Sequence, residues 1–204
     1  MILNKYWQNQ LNASLQNLWV DGTAPRVAVM GIGSQLHGDD VAGMLIARVL
    51  KQNGIYGDRL LVINARIAPE NVFSELRRFD PDLVLIIDAA QMGVEPGSVR
   101  CIDPQSTTGF SFSTHTLPLH VLCAYIATEM GSQVAILGIQ PVDISFGAPL
   151  SPIVRESLAA ILPALVEILK PILQTAAELC VQEDFSLLFS KQSLGKANHW
   201  LPAR

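Results

Sequence analysis

The sequence predicts an α/β fold: a mainly parallel, twisted sheet of about five strands with helices on both faces. Short apolar runs of strand length alternate along the 204 residues with amphipathic stretches of helix length. Residues 83–87, LVLII, are apolar throughout, which is typical of a strand buried on both faces of a parallel sheet. Residues 27–50 contain a strand, a glycine-rich loop and a helix, the usual opening of such a sheet.

The elements can be assigned in order from apolar spacing and from glycine and proline positions. Strands are predicted over residues 27–30, 60–63, 83–87, 98–102 and 134–137, and helices over 41–50, 69–79, 117–130 and from Ser151 onward. Ser151 followed by Pro152 suits the N-cap and first turn of the last helix. Pro163 and Pro171 predict that this helix kinks or breaks.

The length predicts a single domain, residues 1–204. Residues 1–22 are predicted to form an N-terminal helical extension, residues 26–175 the core, and residues 181–204 a tail with one apolar cluster at 185–189. The extension lies outside the strand–helix alternation. The sequence does not decide whether it packs on the domain or on a partner, nor does it decide the oligomeric state.

Composition excludes some classes of function. The net charge of −4 argues against a nucleic-acid partner, which needs a basic surface. The longest apolar stretch, residues 153–179, is interrupted by charges and prolines, and residues 1–20 lack a signal-peptide core, so no membrane insertion is expected. The three cysteines make no CxxC pair and suit reduced core thiols, which predicts a cytoplasmic location.

Three polar residues follow strands or open a helix where a parallel sheet gathers its ligand-binding residues. Asp40 follows the first strand, Asp88 ends the third, and His115 opens the helix after the fourth. Two carboxylates and an imidazole suit a borderline divalent metal such as Ni²⁺ or Zn²⁺. Each residue alone also has a plainer explanation: a helix N-cap for one member of the Asp39–Asp40 pair, and turn formation for Asp88 and His115.

Other motifs are weaker. The loop GIGSQLHGDD lacks the third glycine of GxGxxG and has no GK[ST], so nucleotide binding is poorly supported. His37 lies on this loop and is placed to line the crevice. His120 lies about 140° round the helix from His115, so the two are not expected to share a ligand.

Four stretches together resemble the hydrogenase maturation endopeptidases. MGIGSQLHGDDVAG resembles the family's opening motif, LVLIIDAAQMGVEPGSVRCIDP the second, FSTHTLPL the third with its single histidine, and ILGIQPVDISFGAPLSP the last strand and loop. APEN at residues 68–71 resembles the sequence of the family branch that processes the large subunit of formate hydrogenlyase-type complexes. The resemblance covers residues 26–173.

The resemblance implies an endopeptidase that removes the C-terminal peptide from the nickel-loaded large-subunit precursor of a [NiFe] hydrogenase. Asp40, Asp88 and His115 match the catalytic, metal-recognising positions, and the nickel is presented by the substrate, with no permanently bound cofactor. The chain departs from the family pattern at Ser34, at Val41 and over residues 64–66. These departures leave open a non-catalytic nickel- or precursor-binding chaperone, and a nucleotide or small-anion binding module is a third class.

Overall fold

The computed structural model describes residues 5–104, 111–112 and 117–173. Five α-helices and six strands lie within these ranges, and the parallel strands are joined by helices, which confirms the predicted fold class. The helices are α1 (Tyr6–Gln16), α2 (Ala42–Gln52), α3 (Phe73–Phe79), α4 (Leu119–Met130) and α5 (Pro152–Leu169). The strands are β1 (Val27–Ile32), β2 (Leu60–Arg66), β3 (Leu83–Gln91), β4 (Val99–Ile102), β5 (Ser111–Phe112) and β6 (Gln133–Ile139).

The main sheet has the order β2-β1-β3-β6-β4. The first four strands in that order are parallel, and β4 pairs antiparallel with β6 at one edge. Side chains of β1 alternate between two cores: Val27 and Val29 pack on one face with α1, α2 and α5, whereas Ala28 and Met30 pack on the other with α3 and α4. Burial on both faces explains why these strands are apolar throughout.

Strand β3 is longer than predicted, and this changes the place of Asp88. The pairing of β1 with β3 ends at Gly31 and Ile87, but β3 continues beside β6, where Asp88 faces Gly138. Asp88 therefore lies inside β3, so the prediction that it ends the strand was wrong. It is the first residue of β3 beyond the pairing with β1, at the point where β1 stops and a crevice can open.

The N-terminal helix packs on the domain. Trp7, Leu11 and Leu15 of α1 are buried, and α1 contacts β4, β6 and α5. The thiol of Cys101 in β4 also donates to the carbonyl oxygen of Trp7 at 3.4 Å. The N-terminal extension thus packs on the domain, which the sequence did not decide.

Helix α5 begins after the predicted N-cap Ser151 and continues without a break at Pro163. The hydroxyl of Ser151 accepts a hydrogen bond from the backbone N–H of Val154 at 3.4 Å, which confirms the N-cap. The helix then passes through Pro163 to Leu169, so it does not break there, and the alternative, a kink at Pro163, stays a prediction. Buried leucines on both sides of the proline, Leu158, Leu162 and Leu165, stabilise the helix against a cost of about 3 kcal/mol. Pro171 lies in the 3₁₀ turn Lys170–Ile172 that follows the helix end.

Within the parts of the chain described here, no helix combines the length and the apolar character needed to cross a membrane. The predicted tail over residues 181–204, which includes His199, lies outside the described residues, as does Cys180 before it.

Candidate active site

A short 3₁₀ turn at Gly38–Val41, here called the acidic turn, carries Asp39 and Asp40 into α2. Two glycines let it approach the sheet closely. A Cβ on Gly33 would lie 1.8 Å from the carbonyl oxygen of Asp40, and a Cβ on Gly43 would lie 2.0 Å from that of Ile87. Only glycine fits such contacts. The start of α2 therefore lies directly on the carboxyl end of β1, at Ile32, and on the middle of β3, at Ile87.

This packing places Asp40 and Asp88 in elements that contact each other. Gly43, which lies against the carbonyl of Ile87, is three residues after Asp40, and Asp88 directly follows Ile87. The acidic turn contacts β3, and the two aspartates are only 1% and 0% exposed. Two buried carboxylates on contacting elements are groups that can hold a divalent cation or transfer protons.

Asp39, next in the chain to Asp40, has a different environment. Its carboxylate accepts hydrogen bonds from the N–H of Val142 at 2.8 Å and of Asp143 at 3.2 Å. It also accepts from the N–H of Ser151 at 2.7 Å and from the hydroxyl of Ser151 at 2.9 Å. Four donors satisfy this buried charge, and the residue joins the acidic turn to the loop before α5.

The expectation that one member of the acidic pair caps the following helix was wrong. Neither the acidic turn nor α2 has a side-chain cap at its N-terminus. Asp39 instead lies at the start of α5, where it bonds to Ser151, the residue that caps that helix. A carboxylate at the positive end of α5 is electrostatically favourable. No local pattern indicated this contact, because 112 residues separate the two side chains.

Ser34, one of the departures from the family pattern, organises the loop before the acidic turn. Its hydroxyl accepts from the N–H of Leu36 at 3.2 Å and lies 2.9 Å from Nδ1 of His37. The first of these bonds is a local turn that serine commonly makes. His37 also contacts the ring of Phe146 edge-on, with ring centroids 5.6 Å apart. The ring of His37 is thus held by Ser34 and Phe146, and its place beside a crevice stays a prediction.

Gln140 is a buried residue that the sequence analysis did not single out. Its Oε1 accepts from the N–H of Met92 at 2.7 Å, and its Nε2 donates to Oε1 of Gln91 at 2.7 Å. It is 5% exposed. The amide ties the end of β6 to the end of β3, and so holds the strand segment that follows Asp88. The only sequence signal was its place in the string GIQP.

His115, the third predicted site residue, lies outside the described residues, so its placement beside the two aspartates stays a prediction. Among the residues that are described, no group of three or more His, Cys, Asp or Glu side chains forms a metal site. The predicted three-residue metal site is complete only with His115.

The remaining candidates lie elsewhere. His120 and Cys123 of α4 line an open cavity of about 740 Å³ together with Asp103 and Val134. Burial raises the pKa of Cys101 to about 11 and that of Cys123 to about 12. Both cysteines are free thiols and stay protonated at neutral pH, as predicted for core residues.

Comparison with known proteins identifies the class of protein to which this chain belongs. The family model for hydrogenase maturation proteases of the HycI type matches residues 44–168. The chain therefore belongs to the hydrogenase maturation protease family, a family of peptidases. The matched range includes the positions of Asp88 and His115 and begins four residues after Asp40.

Among relatives, a protein of Methanocaldococcus jannaschii that carries the family's name is 34% identical over 71% of this chain and 89% of its own length. The hydrogenase 3 maturation protease of Escherichia coli K12 is 34% identical over 64% of this chain and 82% of its own length.

Solved structures agree with the fold. The [NiFe] hydrogenase maturation protease HycI of Thermococcus kodakarensis matches with a TM-score of 0.65 and 34% identity over 72% of this chain and 93% of its own. A hydrogenase 3 maturation protease matches with a TM-score of 0.60 and 32% identity over 69% and 88% of the two chains.

Proposed function

We propose that this chain removes the C-terminal peptide from the nickel-loaded large-subunit precursor of a [NiFe] hydrogenase of the formate hydrogenlyase type. The observation that supports the proposal most is a contact: Asp40 is buried in a turn that packs against β3, the strand that carries the buried Asp88. Its neighbour Asp39 accepts four hydrogen bonds at the start of α5, which ties the turn to the fold.

In this proposal Asp40, Asp88 and His115 approach the nickel that the precursor presents. Two carboxylates and one imidazole match the ligand preference of a borderline divalent ion. Two buried carboxylates also repel each other, and a bound cation relieves that repulsion. Nickel insertion then acts as a checkpoint, because a precursor without the ion offers these side chains nothing to bind.

Cleavage itself is hydrolysis of one peptide bond near the metal. The oxygen of a water molecule bonds to the carbonyl carbon, the carbon–nitrogen bond breaks, and a water proton passes to the leaving amine. A carboxylate can accept that proton from water and donate it to the amine, and the nickel can polarise the carbonyl. Asp40 and Asp88 are the groups that we assign to proton transfer and metal recognition.

The test is cleavage of nickel-loaded and nickel-free precursor by wild type, Asp40→Asn, Asp88→Asn and His115→Ala, followed by mass analysis of the precursor's C-terminus. Wild type should shorten only the nickel-loaded precursor, and each variant should leave it intact. Asp21→Asn is the matched control, since this exposed aspartate has a left-handed backbone conformation that asparagine tolerates.

Full activity in all three site variants would end the proposal. A precursor that binds the wild-type chain but keeps its C-terminus would instead identify a chaperone.

A further inference from the structure

Three large apolar side chains are exposed on the two loops that flank the acidic turn. Leu36, Val142 and Phe146 are 59%, 51% and 75% exposed, respectively. We call these three residues the apolar rim. Single exposed apolar residues are common on protein surfaces, but a group held together beside a site is more often an interaction surface.

The loops that carry the apolar rim are bonded to each other. The N–H of Gly147 donates to the carbonyl of Leu36 at 2.7 Å, and the N–H of Asp39 donates to the carbonyl of Asp143 at 2.9 Å. A Cβ on Gly38 would lie 2.2 Å from that same Asp143 oxygen, so the loops are also in close contact. A partner that binds here need not order the backbone first, which favours affinity.

The apolar rim is continuous with the candidate active site. Leu36 is four residues before Asp40, and the N–H of Val142 donates to the Asp39 carboxylate at 2.8 Å. A protein surface placed on the rim would therefore bring its neighbouring segment to the crevice.

The rim also carries one negative charge. Asp143 is exposed, and the N–H of Ser145 donates to its carboxylate at 2.8 Å. Hydrogen bonds from the hydroxyl and the N–H of Ser145 lower the pKa of Asp143, so the carboxylate stays ionised. A complementary surface would be apolar with a lysine or arginine beside it.

We infer that the apolar rim docks the folded body of the large-subunit precursor, through an apolar patch flanked by a cationic side chain, and so aligns the bond to be cut. This inference rests on the proposed function, because it takes that function's substrate as the occupant. The rim residues bind substrate and take no part in the chemical step.

The experiment measures both binding and cleavage of the nickel-loaded precursor with its C-terminal extension intact. Phe146→Ala and Leu36→Ala should each weaken binding of the precursor by about tenfold. The double variant should weaken it further, because side chains that become buried at the centre of an interface carry much of its affinity. KM should rise while kcat stays within about twofold, since binding of the substrate and of the transition state is weakened equally. Asp143→Asn should have a smaller effect that disappears at high salt.

Tyr56→Ala is the matched control, because Tyr56 is 58% exposed and lies before β2, at the amino end of the parallel strands, whereas the acidic turn follows the carboxyl end of β1. Thermal unfolding of every variant checks that the fold is intact. Unchanged binding and KM in the double rim variant would overturn the inference.

The two proposals fail in different ways. Precursor that is bound through the rim but not cut would leave the docking surface supported and the proteolytic function refuted. Wild-type chain that binds no precursor would overturn both. Self-association that the rim variants abolish, with precursor binding unaffected, would assign the surface to a second copy of this chain.

Discussion

The two sides of the acidic turn carry adjacent aspartates with different surroundings. On one side, Asp39 faces the loop before α5 and accepts four hydrogen bonds from it. On the other side, the turn contacts β3, and the buried Asp40 lies in it close to the strand of Asp88. Burial alone does not distinguish a structural carboxylate from a functional one. The four donors around the Asp39 carboxylate assign this residue to the fold.

The largest effect should follow from neutralising the functional side. Asp40→Asn is expected to lower kcat/KM for nickel-loaded precursor by about 10²- to 10⁴-fold, because general acid–base groups contribute that much. Its unfolding free energy should stay near that of wild type. Steady-state cleavage and urea unfolding measure the two quantities. Normal cleavage by Asp40→Asn would contradict a functional role for Asp40.

The structural side should show the opposite pattern. Asp39→Ala is expected to lower the free energy of unfolding by about 4 kcal/mol, because it leaves four part-buried donors without their charged acceptor. Urea unfolding measures the loss, with Asp40→Asn as the control. Stability equal to wild type would mean that water or another group replaces the Asp39 carboxylate.

The contact that positions the turn can be tested at a glycine. Gly43→Ala places a Cβ 2.0 Å from the carbonyl oxygen of Ile87 and 2.6 Å from that of Ile32. Displacing α2 should cost about 3 kcal/mol of stability, and should also reduce cleavage. Gly57→Ala is the control, since the nearest atom to its Cβ would be 3.7 Å away. If both variants unfold at the same temperature, the close packing of α2 on the sheet is not required.

The smallest effect should come from a substitution at Ser151, the N-cap residue of α5 that bonds to Asp39. Ser151→Ala is expected to destabilise the chain by about 1 kcal/mol, because it removes the α5 N-cap while the N–H of residue 151 can still donate to Asp39. Thermal unfolding measures this, and Ser14→Ala, whose hydroxyl bonds within α1, is the control. A loss as large as that of Asp39→Ala would show that the hydroxyl carries most of the stabilisation.

Local sequence patterns were sufficient to predict the fold class, the helices, the five strands of the main sheet and the cap at Ser151, but not the short strand β5. Apolar runs such as residues 83–87 report burial directly. The capping motif at Ser151 is local to its helix, which is why it could be read without knowing the fold.

What could not be predicted depends on contacts between distant residues. The extension of β3 past Asp88 requires pairing with β6, and the bonds of Asp39 reach across more than 100 residues. The helix continues through Pro163 because buried residues on either side hold it, which composition does not reveal. The site prediction rested on strand ends, and the close glycine contacts that position the acidic turn had no recognisable pattern beforehand.

The most direct measurement is the equilibrium affinity of wild type and Asp40→Asn for the same precursor with and without nickel. Wild type should bind the nickel-loaded form at least about tenfold more tightly, and Asp40→Asn should bind both forms equally. An undiminished preference for nickel in Asp40→Asn would contradict the assignment of this aspartate to metal recognition.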